Sequence, residues 1–491
     1  MIREPDGIGP DPRRWKALAL LGTAFFMVIL DSTIVLTAIP SMQQELRLSV
    51  AGVQWVLIGY ALTFGGLMLL GGRMADLLGR RRVFMVGVVL FALSSLACGL
   101  AWSGGALIVS RAIQGVSAAL MAPTALSIVM SAFEEGPERN KALGIWGGLG
   151  GVGATAGLLV GGVITAGLGW EWIFFINVPV AAVLLALSPV VLSESRARFA
   201  IRTFDAAGAI TITGALLLLV YAVFRAPETG WTSLQTGGSF LGAAVLVALF
   251  VFVEGRSAVP LVPLRVFRMR ALVSGNLTIF AVGLAVDGVL FPLTLYAQDV
   301  LDYSALEFGL MSAVMTVMSI AGAMAGQSLV TRLGLRAVAV PSVLLMAVGC
   351  LLLVGVSADG GFVTDLLPGL LVFGPGLGGA FVASQIAALT GVAEEESGLA
   401  SGLVDTSFNI GSAFGISIVT MVAVSRTDEL LAGGRQVPPG VALTEGYQSA
   451  FWATVVFAGL GVLAALFLHG KPGSDEPALT RPDAEPVLSQ D

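Results

Sequence analysis

Long apolar runs, each about the length that crosses a bilayer, follow one another along this chain with only short polar loops between them. A spanning helix needs about 20 apolar residues, because its rise is about 1.5 Å per residue and the hydrocarbon core is about 30 Å thick. Runs of this kind begin near Ala17, Val53, Val83, Gly105, Leu143 and Trp172. Two more cover residues 206–224 and 238–253, and six follow near Leu272, Leu306, Ala337, Leu366, Leu399 and Ala450. Backbone that lies in lipid must satisfy its own hydrogen bonds. The predicted fold class is therefore an all-α integral membrane protein with about fourteen transmembrane helices. Only 12% of the 491 residues are charged, about half the usual share of a soluble chain, which argues against a soluble enzyme or a disordered chain. A net charge of −6 leaves no basic footprint for nucleic acid. The first apolar run is too long for a cleavable signal and lacks a cleavage site, so it reads as the first span.

Basic residues set the expected orientation. With the N-terminus inside, Arg80, Arg81, Arg82, Arg139, Lys141, Arg196, Arg198, Arg202, Arg265, Arg268, Arg270, Arg332 and Arg336 all become cytoplasmic. Only scattered arginines such as Arg47, Arg225, Arg426 and Arg435 fall outside, which satisfies the positive-inside rule. Both termini are then expected in the cytoplasm and the chain in the cytoplasmic membrane. A loop with glycines and arginines after span two (residues 72–80) has a fainter copy after span ten (residues 326–336). Such duplication marks repeat-built transporters. The expected organisation is a six-helix bundle over 14–193, two linking helices over 194–256, a second six-helix bundle over 257–470, and a disordered cytoplasmic tail over 471–491.

Ionisable groups within spans are costly and usually functional. Asp31 stands about fourteen residues into the first span, ~21 Å from its start, and Arg111 about two turns into span four. A buried Asp with an Arg partner is a titratable ion pair that helix movement can load or unload; the plain alternative is a static salt bridge. Asp287 and Asp405 lie in spans nine and thirteen without an intrahelical cation three or four residues away, so a water-lined cavity or a structural hydrogen bond must hold them. Asn276, Gln298, Gln327, Gln385 and Asn409 are candidates to line the same cavity. Gly153, Gly157 and Gly161 recur every four residues in span five, with Gly162 beside them, and such a bare face permits close helix contact. No phosphate-binding loop is implied, since the Gly-Lys-Ser/Thr ending and the preceding strand are missing. Cys98 and Cys350 read as small buried side chains and His469 as an interfacial residue. Neither a metal site nor a cofactor is expected.

These motifs resemble the major facilitator superfamily, and within it the fourteen-helix drug:proton antiporters. Residues 30–40 are similar to the first-helix motif and residues 72–82 to the loop motif of the whole superfamily. Residues 107–115 resemble the fourth-helix motif and residues 153–162 the antiporter motif of helix five; residues 170–179 and 397–407 add further matches. Two departures stand out. Leu158 takes the place of a proline, so helix five should bend less there. Asp405 stands where the family usually has Asn, and Phe408 where it has a basic residue.

The resemblance implies two bundles rocking about a central cavity, with Asp31 and Arg111 as the proton site. It implies a conformational latch of Gly72, Asp76, Gly79, Arg80 and Arg81. Asp287, Asp405, Asn409 and Gln298 would attract a cationic or polar substrate, beside an adaptable wall to which Met311, Met315 and Phe291 would contribute, although helix packing is the simpler role for these three. The leading expectation is proton-coupled export of lipophilic, cationic small molecules such as antibiotics and dyes by a monomer, with protons and the bilayer as its other partners. The alternatives are export of an endogenous metabolite or lipid by the same fold, or a non-transporting sensor. No nucleophile–base constellation suggests an enzyme.

Overall fold

The computed structural model describes residues 13–48, 50–194, 205–257, 260, 262–393, 396–432 and 437–468. His469, the tail over 471–491, Arg196, Arg198, Arg202 and Arg435 lie outside the described residues. The helices in chain order are α1 (Arg14–Glu45), α2 (Val50–Leu78), α3 (Arg80–Gly99), α4 (Gly104–Ala132), α5 (Pro137–Leu168), α6 (Trp172–Phe175) and α7 (Asn177–Val191). Then come α8 (Ala206–Thr229), α9 (Leu234–Glu254), α10 (Arg270–Leu295), α11 (Ala305–Leu333), α12 (Leu335–Leu353), α13 (Leu367–Leu389), α14 (Ser397–Ala432) and α15 (Pro439–Leu466). Among the described residues there is no strand. The chain is a multi-pass membrane protein: among the described residues thirteen helical stretches are long and apolar enough to cross a bilayer, and the apolar part of α8, Ala207–Val223, is shorter.

Span six runs over Trp172–Val191 with its hydrogen-bond ladder interrupted at Ile176, which keeps helical dihedrals. Pro179 lacks an N–H, and its ring would crowd the carbonyl four residues back, so the ladder stops at Phe175 and resumes at Asn177 without a change of direction in the backbone dihedrals. Helix α5, in contrast, runs unbroken through Leu158, in line with the missing proline. Large apolar side chains such as Val86, Leu93, Leu249, Leu345 and Val348 point outward and are exposed, as expected of surfaces that meet lipid tails.

Helices α1–α7 pack together and α10–α15 pack together, and the two groups meet along two seams, α2 with α14 and α5 with α11. Helices α8 and α9 pack on each other, and α8 lies against both α2 and α14, where Ser417 donates to the Val223 carbonyl at 2.9 Å.

The glycine face of α5 is divided. Added side-chain carbons at Gly153, Gly157 and Gly161 would run into α1: at Gly157 one would meet the Thr33 hydroxyl and lie 2.8 Å from the Leu30 carbonyl. Gly162, expected to share this packing, faces open space, because one residue's step turns it about 100° away from Gly161. Gly157→Ala should therefore push α1 and α5 apart at a cost of about 1–3 kcal/mol. Gly162→Ala should be neutral or stabilising by about 0.5–1 kcal/mol, since Ala is the better helix former. Thermal midpoints of the two purified variants check this, and equal midpoints would contradict the packing.

Candidate transport site

Asp31 sits at the centre of a buried polar network built from four helices. Its Oδ2 accepts from Arg111 Nη1 at 2.7 Å, and its Oδ1 accepts from Asn177 Nδ2 at 2.6 Å and Gln114 Nε2 at 2.9 Å. The same Arg111 nitrogen donates to Gln114 Oε1 at 2.7 Å. Ser95 Oγ accepts from Gln114 at 2.8 Å and from Asn177 at 3.3 Å. The guanidinium lies 4.2 Å from the centre of the Tyr60 ring, a cation–π contact. Asp31 is 0% exposed and Arg111 1%. The sequence places these two charges correctly at one depth but leaves Gln114, Asn177 and Ser95 unassigned. Gln114, one turn from Arg111 inside an apolar span, was the available signal.

The contact between Arg111 and Asp31 is single rather than two-pronged. One guanidinium nitrogen reaches the carboxylate and is shared with Gln114, while the buried Nε has no acceptor. Its orientation follows from the Gln114 carbonyl and the Tyr60 ring, which compete with the carboxylate for the planar group. All three hydrogen bonds to Asp31 are donated to it, the pattern that a carboxylate accepts. These fill three of the roughly four acceptor positions of the carboxylate, and because Asp31 has no exposed surface, a proton from water reaches it only when the surrounding helices open a path.

The second cluster closes the seam between α2 and α14 on the side where α1 begins. Asp76 Oδ1 accepts from Arg80 Nη2 at 3.2 Å and from the Gly398 amide at 3.2 Å, and Oδ2 accepts from the Leu399 amide at 3.1 Å. An anion is thus seated on the N-terminus of α14, where free amides and the helix dipole favour negative charge. Arg80 also donates to Ser397 Oγ at 2.6 Å, and Ser127 on α4 lies 3.1 Å from that hydroxyl. Gly72 is forced by contact: a side chain there would collide with the Gly398 carbonyl. Gly79 carries φ = +108° between α2 and α3, a conformation that L side chains rarely adopt. Arg81, expected in the latch, is placed elsewhere. It donates to the Leu192 carbonyl at 3.2 Å and lies 3.8 Å from Glu194, tying α3 to the end of α7 within one group of helices.

The other seam is fastened differently. Asn140 on α5 donates to Thr331 on α11 at 3.0 Å, and Thr155 bonds Thr316 deeper in. Val330 stands where the fainter loop copy would need an acid, and it is fully buried.

The expected substrate residues do not form one group. Asp287, seventeen residues into α10 as Asp31 is into α1, accepts from Ser412 on α14. Asp405 lies seven residues before Ser412, about 10 Å along the axis, so the two acids occupy separate levels rather than repelling across one point. Asn409 donates to the Asp405 backbone carbonyl at 2.8 Å and lies 3.5 Å from Met68 Sδ on α2, which places it at the seam. Gln298 sits in a π turn over Tyr296–Val300 at the far end of α10, three turns beyond Asp287. Asn276 on α10 accepts from Ser407 on α14 at 2.9 Å, a bond within the second group of helices, and Gln327 donates to its neighbour Ser328 at 2.8 Å. Met315 is buried in packing while Met311 and Phe291 are half-buried. Among the described residues no group of His, Cys, Asp and Glu has the makings of a metal site.

Comparison with known proteins is consistent along the chain's length. The model of the Major Facilitator Superfamily matches residues 21–416 and 277–490. The chain is 36% identical over 459 residues to the puromycin resistance protein pur8 of Streptomyces alboniger, covering 93% of this chain and 90% of that protein. It is 35% identical to the tetracenomycin C resistance and export protein of Streptomyces glaucescens, covering 87% of this chain and 80% of the relative. Among solved structures, that of the human organic anion transporter MFSD10 superposes with a TM-score of 0.64 at 17% identity, over 94% of this chain and all of the other; this likeness concerns the fold alone.

Proposed function

Because the chain belongs to the Major Facilitator Superfamily and is a membrane transporter, we propose that it exports lipophilic, cationic small molecules, antibiotics and dyes among them, in exchange for protons. The observation that carries this reading is the buried Asp31–Arg111 pair in its ring of Gln114, Asn177 and Ser95. A carboxylate with no exposed surface meets a proton from water only when its helices shift. Proton binding and conformation are therefore linked, which is the requirement for exchange. The two Streptomyces relatives, one a puromycin resistance protein and the other a tetracenomycin C resistance and export protein, support antibiotics as the substrate class.

Movement follows alternating access: the two groups of helices rock about the seams, and the substrate site faces one side at a time. Asp76, Arg80 and Gly72 act as the latch on the cytoplasmic side, released when α14 withdraws its N-terminus. Both termini are cytoplasmic in this reading, from the arginine distribution. Asp287, Asp405 and Asn409 supply polar contacts to the cation, Asp287 and Asp405 at separate depths. The protein acts as a monomer in the cytoplasmic membrane.

The test is transport by the purified protein in proteoliposomes under an imposed pH gradient, with matched cationic, neutral and anionic lipophiles. Gradient-dependent accumulation of the cations is expected. Flux that ignores the gradient for every compound would remove proton exchange, and equal flux of all three classes would remove the cation preference.

A further inference from the structure

Several polar groups on the latch side are buried without a hydrogen-bond partner, and four of them stand on neighbouring turns. They are Thr124 Oγ1 on α4, both amide atoms of Gln385 on α13, and Ser401 Oγ and Asp405 Oδ2 on α14. Thr124, Gln385 and Ser401 are each 0% exposed. Two contacts fix how these helices stand against one another. The Ser127–Ser397 hydroxyl contact at 3.1 Å pins α4 to α14. The Phe381 and Phe408 rings, 5.6 Å apart and edge to face, pin α13 to α14. Both α4 and α13 run antiparallel to α14. One turn deeper from the serine pair stand Thr124 and Ser401; one turn nearer the latch from the phenylalanine pair stand Gln385 and Asp405. Ser401 and Asp405 are themselves successive turns on one face of α14.

A buried polar group without a partner is unfavourable, and native interiors rarely keep several together. Here they flank the seam that must part when the latch opens, so their partners belong to the other conformation. The set is rich in acceptors: a carboxylate, an amide carbonyl and two hydroxyl oxygens. Such a set suits a ligand that is positive and also carries several N–H donors. A quaternary ammonium would match the charge and leave the acceptors empty.

We infer that Thr124, Gln385, Ser401 and Asp405 form an amine subsite, which in the state open towards the latch side takes the N–H groups of a protonated primary or secondary amine on the substrate. The inference deepens the proposed function, since it rests on Asp405 as a substrate residue, and it narrows the substrate from any lipophilic cation to a hydrogen-bond-donating one.

The test uses the full chain in lipid nanodiscs with two probes of equal charge, 4-phenylbutylammonium and its N,N,N-trimethyl derivative, by titration calorimetry. Wild type should bind the ammonium about tenfold more tightly, the order of a hydrogen bond to a charged group. Ser401→Ala and Gln385→Leu should each erase most of that preference while leaving the trimethyl probe's affinity unchanged. Their thermal midpoints should hold or rise, because each removes a buried unmatched group. Equal binding of the two probes to wild type, no binding of the ammonium, or a preference that neither substitution alters would overturn the subsite. So would parallel loss of both probes with a lowered midpoint, the mark of a structural role. Proton-driven export of a lipophile without N–H groups would survive such a failure, so the subsite and the proposed function fall separately.

Discussion

Asp31→Asn should reduce pH-driven efflux to the level of empty vesicles while the purified protein still binds substrate. The substitution keeps the shape of the side chain and removes the one titratable group among Arg111, Gln114, Asn177 and Ser95. It also leaves a buried guanidinium without a counter-charge, which costs about 3–5 kcal/mol when such pairs are broken, so folded yield should fall. The double change Asp31→Asn with Arg111→Gln separates the two effects: yield should recover and efflux should not. Arg111→Lys should be impaired as well. An ammonium can replace the single bond to Asp31, but it does not reproduce a flat group that lies over Tyr60 and serves Gln114 at the same time. Unchanged proton-driven accumulation by Asp31→Asn would remove this residue from coupling.

The second large effect is expected at the latch. Asp76→Asn removes the negative charge from the N-terminus of α14 and weakens bonds from Arg80, Gly398 and Leu399. A carboxylate at a helix N-terminus contributes about 0.3–1 kcal/mol when exposed and up to ~2 when partly buried. Roughly tenfold in the balance between closed and open latch is therefore the expected size. Turnover should drop without a comparable loss of binding. A cysteine placed on the latch face of α14 should also become more accessible to a water-soluble thiol reagent. Equal losses of turnover and binding, with unchanged accessibility, would indicate a plain folding defect instead.

The helical architecture was legible because lipid leaves the backbone few options. Asp31 and Arg111 could be paired from sequence because each is an isolated charge in an apolar span at a matching depth. Their neutral partners were not legible: Gln114 and Asn177 carry no charge, and a lone amide in a span has many structural uses. The loop motif gave Asp76 and Arg80 a latch role and extended it to Arg81, but neighbouring residues at a helix start point in different directions, and Arg81 turns back to Leu192. Gly162 failed for the same reason, one step of rotation away from the packed face. The levels of Asp287 and Asp405 depend on how α10 is set against α14, a relation between helices that no single run of sequence contains.

Proton exchange is the centre of this account, and it is tested most directly by watching protons move when only substrate is supplied. Proteoliposomes containing the wild-type protein and an entrapped pH dye, with no pH difference imposed, receive a lipophilic quaternary ammonium cation, which carries no proton of its own, on one side, and protein-free liposomes measure the passive leak. The account predicts that substrate addition drives protons in the opposite direction, saturably, and that Asp31→Asn abolishes this signal while substrate binding remains. Substrate uptake with no proton movement above the passive leak would contradict it.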